Sequence, residues 1–544
     1  MIDIAVAEFI KKDLEKIIGR KLSEDDYKNK ITMLGCPLEK MDSEKVSYEI
    51  SPNRPDMYSA EGFARAIKNF LGLSKSIPSY NTKKSGIKLA AGIVTARPYI
   101  TAAVVRNVKF TEEVIISLIQ LQEKLHETIG RKRKKVAIGI HDLDKVKPPF
   151  CYKAVKPEEI SFVPLDAKQK MNLSEIGKRH PKGKDYMHTL EGYEKWPIIV
   201  DKNNDVLSFP PIINGELTRL TEKTRNLFID VTGTSDIAIN HAINILVAAL
   251  SDRGFSIETV EIKGSRKPDL SNRKISINID YANKLLDLDL TKSEMKTLLS
   301  KMCLGFDGSV IIPPYRTDIM HPIDIVEDLA IAKGYGTFEA KIPRVPTIAK
   351  RDGLVEFLEF LRGAVIGLGF QETVGAILTN KDDEFRKMNI PVEEACETTN
   401  PVTVECTMCR KKLLPSLLKT FSQNKHMDYP QCVFELGDAI VIDKTKETNT
   451  ATVRMLACGI SNSSVSYEQI SSYLDAFLKN LGINYKLKKF THSTFIEGRC
   501  AEIIADKQIG IIGEVHPQVL ENWKLEKPVA AFELNVEEIF KLMK

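Results

Sequence analysis

The sequence predicts a multidomain α+β protein. Length is the first reason: 544 residues make about three to five domains at the usual ~100–200 residues each. The second is that strand-like alternation and helix-like spacing interleave along the chain. The third is punctuation by polar stretches broken with proline and glycine, of which residues 74–86 form the clearest linker. Hydrophobic residues at 43% and charged residues at 28% are ordinary for a soluble globular protein. No run reaches the ~18 apolar residues of a membrane span. The nearest, residues 237–250, is interrupted by Asn240, His241 and Asn244 and reads as a buried helix. The first residues lack the basic–apolar–small order of a secretory signal, so no membrane partner and a cytoplasmic location are expected. No repeat of twenty to fifty residues occurs.

Residues 1–75 read as a small mixed module. Phe9, Ile10, Leu14, Ile17 and Ile18 mark one helical face ended by Gly19. Ser23 with Asp26 resembles a capping box for a second helix ending near Gly35. Val46 to Ile50 alternates as a half-buried strand, and Pro52 and Pro55 force an extended turn. Ser59 can cap the next helix, whose face is Phe63, Ala66, Ile67, Phe70 and Leu71, with Gly72 to end it. Arg54 and Asp56 therefore sit on a rigid strand–turn–helix corner, where solvated turn charges are the simplest reading.

Residues 88–264 read as one domain, with strand-like runs at 99–105, 136–140 and 196–200 and a clear helix over 112–128. Residues 270–342 form another small unit, in which Thr291 and Glu294 are a full capping box opening a helix with Met295, Leu298, Leu299 and Met302 on one face. Residues 344–544 alternate helix and strand again.

A net charge of +5 is mild for this length and does not by itself imply nucleic acid. Two local basic runs, Arg131 to Lys135 and Lys168 to Lys184, could contact phosphate or be solvated faces. The nine cysteines are scattered singly except for Cys406 and Cys409. A zinc ribbon needs a second such pair, and the sequence has none. Asp324, Glu327 and Asp328, with Asp318 just before them, crowd carboxylates on one helix face at a cost of a few tenths of a kcal/mol per pair. A hard cation would offset that; so would the dipole at a helix start marked by Pro322.

The run EISPNRPDMYSAEGFARAIKNFLG (49–72) resembles the signature near the N-terminus of the phenylalanyl-tRNA synthetase beta subunit. VAIGIHDLDKVKPPF (136–150) and VLSFPPIINGELTRLTEKTRNLFIDVTGTSD (206–236) resemble the hydrolytic editing module of its archaeal and eukaryotic cytosolic type. PPYRTDIMHPIDIVEDLAIAKGYGTFEAKIP (313–343), NPVTVECTMCRKKLLPSLLKTFSQNK (400–425), FELGD (434–438), FIEGRCAEI (495–503) and IGEVHPQVL (512–520) continue the likeness in the family's order. The resemblance implies a structural module over 1–75, an α/β editing domain over 88–264, a winged-helix-like, magnesium-associated module over 270–342, and over 344–544 a class II synthetase-like antiparallel-sheet domain lacking catalytic motifs. It implies ATP- and Mg2+-dependent charging of tRNA(Phe) with phenylalanine, together with a catalytic alpha subunit in a heterotetramer of two alpha and two beta chains. It also implies hydrolytic editing of tyrosyl-tRNA(Phe) by this chain. In the signature the family uses Arg54 and Asp56 structurally.

A pocket for a phenyl ring rejects tyrosine only about 10²-fold, whereas a second pocket that hydrogen-bonds the phenol turns the extra hydroxyl into a selection. The family's specificity residues resemble Ser208, Asp230 and Thr232. Asp230, following Leu227, Phe228 and Ile229, is expected to end a strand and accept from the phenol. Ser208, Asn214, Gly215 and Glu216 are expected on a proline-bent loop lining the same pocket. One departure stands out: the family pattern has an acid at position 235, where this chain has Ser235. The resemblance assigns Mg2+ ligation to Asp318, Asp324, Glu327 and Asp328. No GxGxxR-like run that would hold ATP phosphates occurs; Arg410 and Arg499 suit packing or an interface as well, and His516 with Pro517 reads as a structural corner. Two alternatives remain open: a structural tRNA-binding subunit with an inactive pocket, and a free-standing trans-editing protein.

Overall fold

The computed structural model describes residues 6–263 and 268–543; the expected segment ends at residues 1, 264 and 544 lie outside them. The chain divides into two compact units, Met1–Ile342 and Pro343–Lys544.

The first unit begins with a three-stranded antiparallel sheet of β1 (Val6–Ile10), β2 (Leu38–Met41) and β3 (Lys45–Glu49), in the order β1-β3-β2. Phe9 and Ile10 are in β1, not on the expected helix, which is α1 (Lys11–Ile18). Their pairing with Val46 and Lys45 and the alternate burial of Ala7 and Phe9 show that the period of two wins there over the period of 3.6. Gly19 ends α1 at φ 88°. Ser23 and Asp26 exchange the two bonds of a capping box, but the segment after them winds as a π turn, Asp26–Lys30, and a 3-10 turn, Ile31–Leu34. Ser59 accepts from the Gly62 amide at the start of α2 (Ala60–Phe70).

The charges of the signature corner are buried rather than solvated. Arg54 is bidentate on Asp56 at 2.9 and 3.0 Å. A Cβ on Gly62 would overlap the Asp56 carbonyl oxygen, which explains glycine inside a helix. Arg253 grips Asp13 of α1 at 2.6 and 2.8 Å and also Glu61 of α2, joining the module to the next domain.

That domain is a nine-stranded sheet built from β4 (Thr82–Ala91), β5 (Tyr99–Arg106), β6 (Val136–Asp142) and β7 (Phe150–Val155), then β10 (Trp196–Val200), β11 (Val206–Phe209), β12 (Ile213–Asn214), β13 (Leu227–Gly233) and β14 (Ser256–Ile262). A separate hairpin pairs β8 (Ser161–Phe162) with β9 (Met171–Asn172). The helices are α3 (Glu112–Glu127), α4 (Leu173–Arg179), α5 (Pro181–Tyr186) and α6 (Asp236–Asp252). The expected linker over 74–86 is too long at its C-terminal end, because Thr82, Lys83 and Lys84 already pair in parallel with β14. The sheet order is β12-β11-β10-β7-β4-β14-β5-β13-β6. Its two edges approach each other, and Asn214 Nδ2 of β12 donates to Ile140 O of β6 at 3.4 Å. Curling protects edges that would otherwise offer unpaired strand groups.

The last part of this unit has a small sheet of Arg273–Ile275, Val310–Ile312 and Gly305–Phe306, with helices Ile279–Leu286, Lys292–Lys301 and Pro322–Lys333. Thr291 and Glu294 form their capping box, and Pro322 is at the first helical position.

The second unit is a seven-stranded sheet in which Gln431–Ile442, Thr450–Ser461, Val529–Asn535, Lys507–Val515, Phe495–Ala505 and Lys486–Lys489 run antiparallel in that spatial order. Gln371–Glu372 adds a parallel edge. Helices Gly353–Gly367, Tyr467–Asn480 and Val536–Leu542 share one apolar cluster with the sheet; Leu414–Gln423 and Pro517–Asn522 contribute to another. His516 caps the latter helix through the Gln518 amide. Arg410 is buried on Glu435 at 2.5 Å, and Arg499 pairs with Glu514 at 2.7 Å. All nine cysteines are free.

Two buried glutamates in this unit accept from four successive amides: Glu384 from Lys411 and Lys412, and Glu533 from Leu413 and Leu414. Burial raises the Glu384 carboxyl to about 7. A carboxyl raised on folding stabilises below its unfolded pKa, and that contribution is lost as pH rises to the folded value. The stability of this unit against thermal unfolding is therefore expected to fall by up to about 3 kcal/mol between pH 4.5 and 7, and Glu384→Gln to flatten that dependence.

Candidate functional site

The two edges of the curled sheet border one cavity of about 260 Å³. From one edge β11 and β12 bring Ser208 and Asn214; from the other β6 and β13 bring Gly139 and Asp230. α3 adds Glu123 and His126, and the segment before β6 adds Arg133.

Asp230 is mid-strand, not at a strand end: it pairs with Ala102 on one side and Gly139 on the other. Its carboxylate leans over Gly139, where a Cβ would overlap Oδ2 and lie 2.7 Å from His141 Nε2. His141 Nε2 donates to Asp230 Oδ2 at 2.8 Å, and its Nδ1 is 2.8 Å from Thr218 Oγ1. The glycine is thus what lets a carboxylate sit inside the sheet, and Gly139→Ala is expected to displace it at a cost of about 1–3 kcal/mol, read by thermal unfolding.

Ser208 is in β11 rather than on a loop, and its Oγ is buried without a hydrogen-bond partner. An orphaned hydroxyl costs about 1–3 kcal/mol, and this one belongs to a residue lining the cavity. Thr232 is on the same face of β13 as Asp230, but it serves Arg97: Oγ1 accepts from Nε at 3.2 Å and the carbonyl from Nη2 at 2.7 Å. Gly215 donates to Leu207 O at 2.7 Å, and Glu216 pairs with Arg219 at 2.6 Å. Of the expected pocket residues, then, Ser208, Asn214 and Asp230 line the cavity; Gly215, Glu216 and Thr232 are not among its lining residues. Ser235 caps α6 through the Ala238 amide at 3.4 Å. Serine and aspartate are equally good caps, so the departure at this position preserves a helix start.

Two cavity groups, Glu123 and His126, lie in no motif of the sequence, and Arg133 stands out there only as part of a basic run. His126 Nε2 accepts from the Ile138 amide at 2.8 Å, its Nδ1 donates to Glu123 at 3.3 Å, and burial lowers its pKa. Burial would raise the Glu123 carboxyl, but the His126 hydrogen bond and the Arg133 charge outweigh it and hold the group at about 2. Arg133 reaches Glu123 at 2.9 Å and Ile212 O at 3.1 Å, and its guanidinium lies 4.5 Å from the Tyr186 ring centroid. The one local clue was Gly139 itself, since a lone glycine in an apolar strand marks a close approach.

The four acids expected to bind magnesium border a second cavity of about 540 Å³, but a side chain already occupies two of them. Arg316, 1% exposed, donates to Asp318 at 2.7 Å and to Asp328 at 2.6 Å. Asp324 accepts from the Met320 and His321 amides as a helix cap. Among the described residues no three metal-binding side chains converge. The set therefore does not fit a four-carboxylate site; Asp324 and Glu327 alone fit a hydrated Mg2+, which needs only one or two carboxylates.

The B3/4 domain family matches residues 96–261, the tRNA synthetase B5 domain family residues 275–335, and the phenylalanyl tRNA synthetase beta chain CLM domain family residues 339–536. The phenylalanine–tRNA ligase beta subunit of Methanocaldococcus jannaschii is 42% identical over 542 residues, covering 97% of this chain and 99% of its own. That of Pyrococcus horikoshii is 40% identical over 549 residues, covering 98% and 99%. The crystal structure of an N-terminal fragment of the phenylalanyl-tRNA synthetase beta-subunit from Pyrococcus horikoshii superposes with a TM-score of 0.58 at 39% identity, over 61% of this chain and 99% of the fragment.

Proposed function

Because the chain belongs to the phenylalanine–tRNA ligase beta-subunit family, we propose that the cavity at the sheet seam hydrolyses tyrosyl-tRNA(Phe) formed in error by the ligase. One observation carries this reading: a buried carboxylate, Asp230, and an unpartnered buried hydroxyl, Ser208, line one small cavity. The phenol of tyrosine satisfies such groups. Phenylalanine leaves them unpaired, at about 1–3 kcal/mol each, which is how a second pocket excludes the correct amino acid. Ser208 Oγ has no hydrogen-bonded base to activate it, so it binds rather than attacks. Positioned water and the ribose hydroxyl next to the ester then suffice for an activated ester.

In this reading residues 88–264 are the editing domain and 1–75 a structural module. Residues 270–342 are a winged-helix-like module, and 344–544 a class II synthetase-like domain without catalytic motifs, whose buried Arg410 is committed to Glu435. ATP-dependent charging of tRNA(Phe) takes place in the cytoplasm on the alpha subunit of a heterotetramer of two alpha and two beta chains. Mg2+, where this chain holds it, is bound through Asp324 and Glu327 with retained waters and neutralises their charge. Calorimetric titration with Mg2+ should show weaker binding after Glu327→Gln; an unchanged isotherm removes Glu327 from the site.

The test is deacylation of tyrosyl-tRNA(Phe) by the assembled ligase, with phenylalanyl-tRNA(Phe) as control. Selective loss of the tyrosyl ester supports editing. No hydrolysis by a ligase that still charges tRNA makes this chain a scaffold, the alternative that Ser235 motivates. Gel filtration with an alpha subunit separates both from a free-standing editor, which would stay a monomer and ignore alpha.

A further inference from the structure

The two basic runs are 33 residues apart in sequence at their facing ends, Lys135 and Lys168, yet they meet at this cavity: Arg133 from the first and His180 and Lys182 from the second all line it. Arg133 and Lys182 both lie over the Tyr186 ring, at 4.5 and 5.7 Å from its centroid. The first run has an unusual backbone. Arg131, Lys132 and Arg133 take φ values of 47°, 54° and 64° in succession, and each such non-glycine residue costs about 1–2 kcal/mol. Strain of this kind persists only where the surroundings over-determine it. Here Arg133 N donates to His126 O at 3.2 Å, Lys134 N to Arg131 O at 3.2 Å and Lys135 N to Gly130 O at 2.7 Å.

Arg97 completes the clamp. Its Nη1 donates to the carbonyls of Arg133 and Lys134 at 3.1 and 3.2 Å, while Nε and Nη2 hold Thr232. This arginine is 2% exposed, and the side-chain and backbone groups it bonds are all neutral; burial lowers its pKa to about 10. A buried cation without a bonded anion is costly. The result of that cost is a fixed left-handed turn. It directs Arg133 into the cavity wall and leaves Arg131, Lys132 and Lys134 exposed.

We propose that this turn and Lys182 form a phosphate-binding rim at the cavity, which holds the single-stranded 3′ end of tRNA by its backbone while the aminoacyl ester enters. The inference rests on the editing reading for what enters the cavity, but its chemistry is that of a polyanion on fixed cations. A single strand fits better than a duplex, because the terminal ester has to reach groups lining a cavity of about 260 Å³.

The test is equilibrium binding of a fluorescent single-stranded RNA, with the 3′-terminal sequence of tRNA, to the full chain over a salt series. Each phosphate contact contributes about 0.7 to the slope of log K against log salt. The triple variant Arg131→Gln, Lys132→Gln, Lys134→Gln should bind at least tenfold more weakly at low salt, with a slope shallower by about 2. Lys182→Gln, outside the strained turn, should lower the slope by about 0.7, so misfolding of the turn cannot account for both results. An unchanged slope in both variants, no binding by the wild type, or equal binding of duplex RNA overturns the rim. A ligase that fails to edit but shows these slope changes loses the editing reading and keeps the rim.

Discussion

Asp230→Ala is expected to lower hydrolysis of tyrosyl-tRNA(Phe) by about 10- to 10²-fold, with charging of tRNA(Phe) by the assembled ligase intact. The magnitude follows from one hydrogen bond to a charged acceptor, about 1.5–3 kcal/mol, lost where water does not replace it. The substitution also leaves His141 Nε2, buried at the far side of the carboxylate, without its acceptor. Asp230→Asn keeps the shape and one acceptor oxygen, so it should retain part of the selectivity that alanine removes. Deacylation rates of the tyrosyl and phenylalanyl esters by the three proteins decide the point. Equal tyrosyl rates in wild type and Asp230→Ala would remove Asp230 from recognition.

The second large effect is on stability. Arg316→Ala should cost about 3–5 kcal/mol, the range for breaking a buried ion pair from one side, because Asp318 and Asp328 both lose their shared guanidinium. Burial favours the neutral form of each. For Asp318 the Arg316 charge outweighs burial and lowers the pKa; for Asp328 burial wins and raises it. In the wild type the two therefore pull in opposite directions: the Asp318 contribution fades as pH falls and the Asp328 contribution as pH rises. Without the arginine, burial raises both carboxyls, so the variant's deficit should shrink on acidification. Urea unfolding at pH 5 and pH 8 reads this directly. A deficit that is small, or that grows as pH falls, contradicts the assignment.

Much of this was legible locally. Ser59, Thr291 and Pro322 each mark a helix start that a short-range rule detects, the corner expected at His516 and Pro517 opens a short helix, and the strand expected from alternation over 46–50 lies at 45–49. Legibility failed where tertiary pairing competes with spacing. Phe9 and Ile10 fit a helical face until β3 arrives to pair with them, and residues 82–84 look like linker until β14 lies alongside. The site was half legible. Asp230 and Ser208 were found through family likeness, but Glu123, His126 and Arg133 come from segments whose only relation is spatial. Thr232 was misplaced for a similar reason, because its partner Arg97 is 135 positions away and carries no motif.

The strand order has a consequence for how the chain is made. Strands β12, β11, β10, β7 and β4 form one contiguous half of the sheet, and β5, β13 and β6 the other; the strand that joins them is β14, the last in sequence. A ribosome releasing about 5–20 residues per second therefore exposes two half-sheets without their joining strand for seconds before residues 256–262 emerge. Over that interval the halves are linked by the chain itself and by contacts at the edge-to-edge seam, such as Asn214 Nδ2 to Ile140 O and Arg133 Nη1 to Ile212 O. The strand that closes the sheet is thus made after every residue that lines the cavity, so a chain truncated just before β14 would carry those residues on two half-sheets without the strand that fixes their spacing.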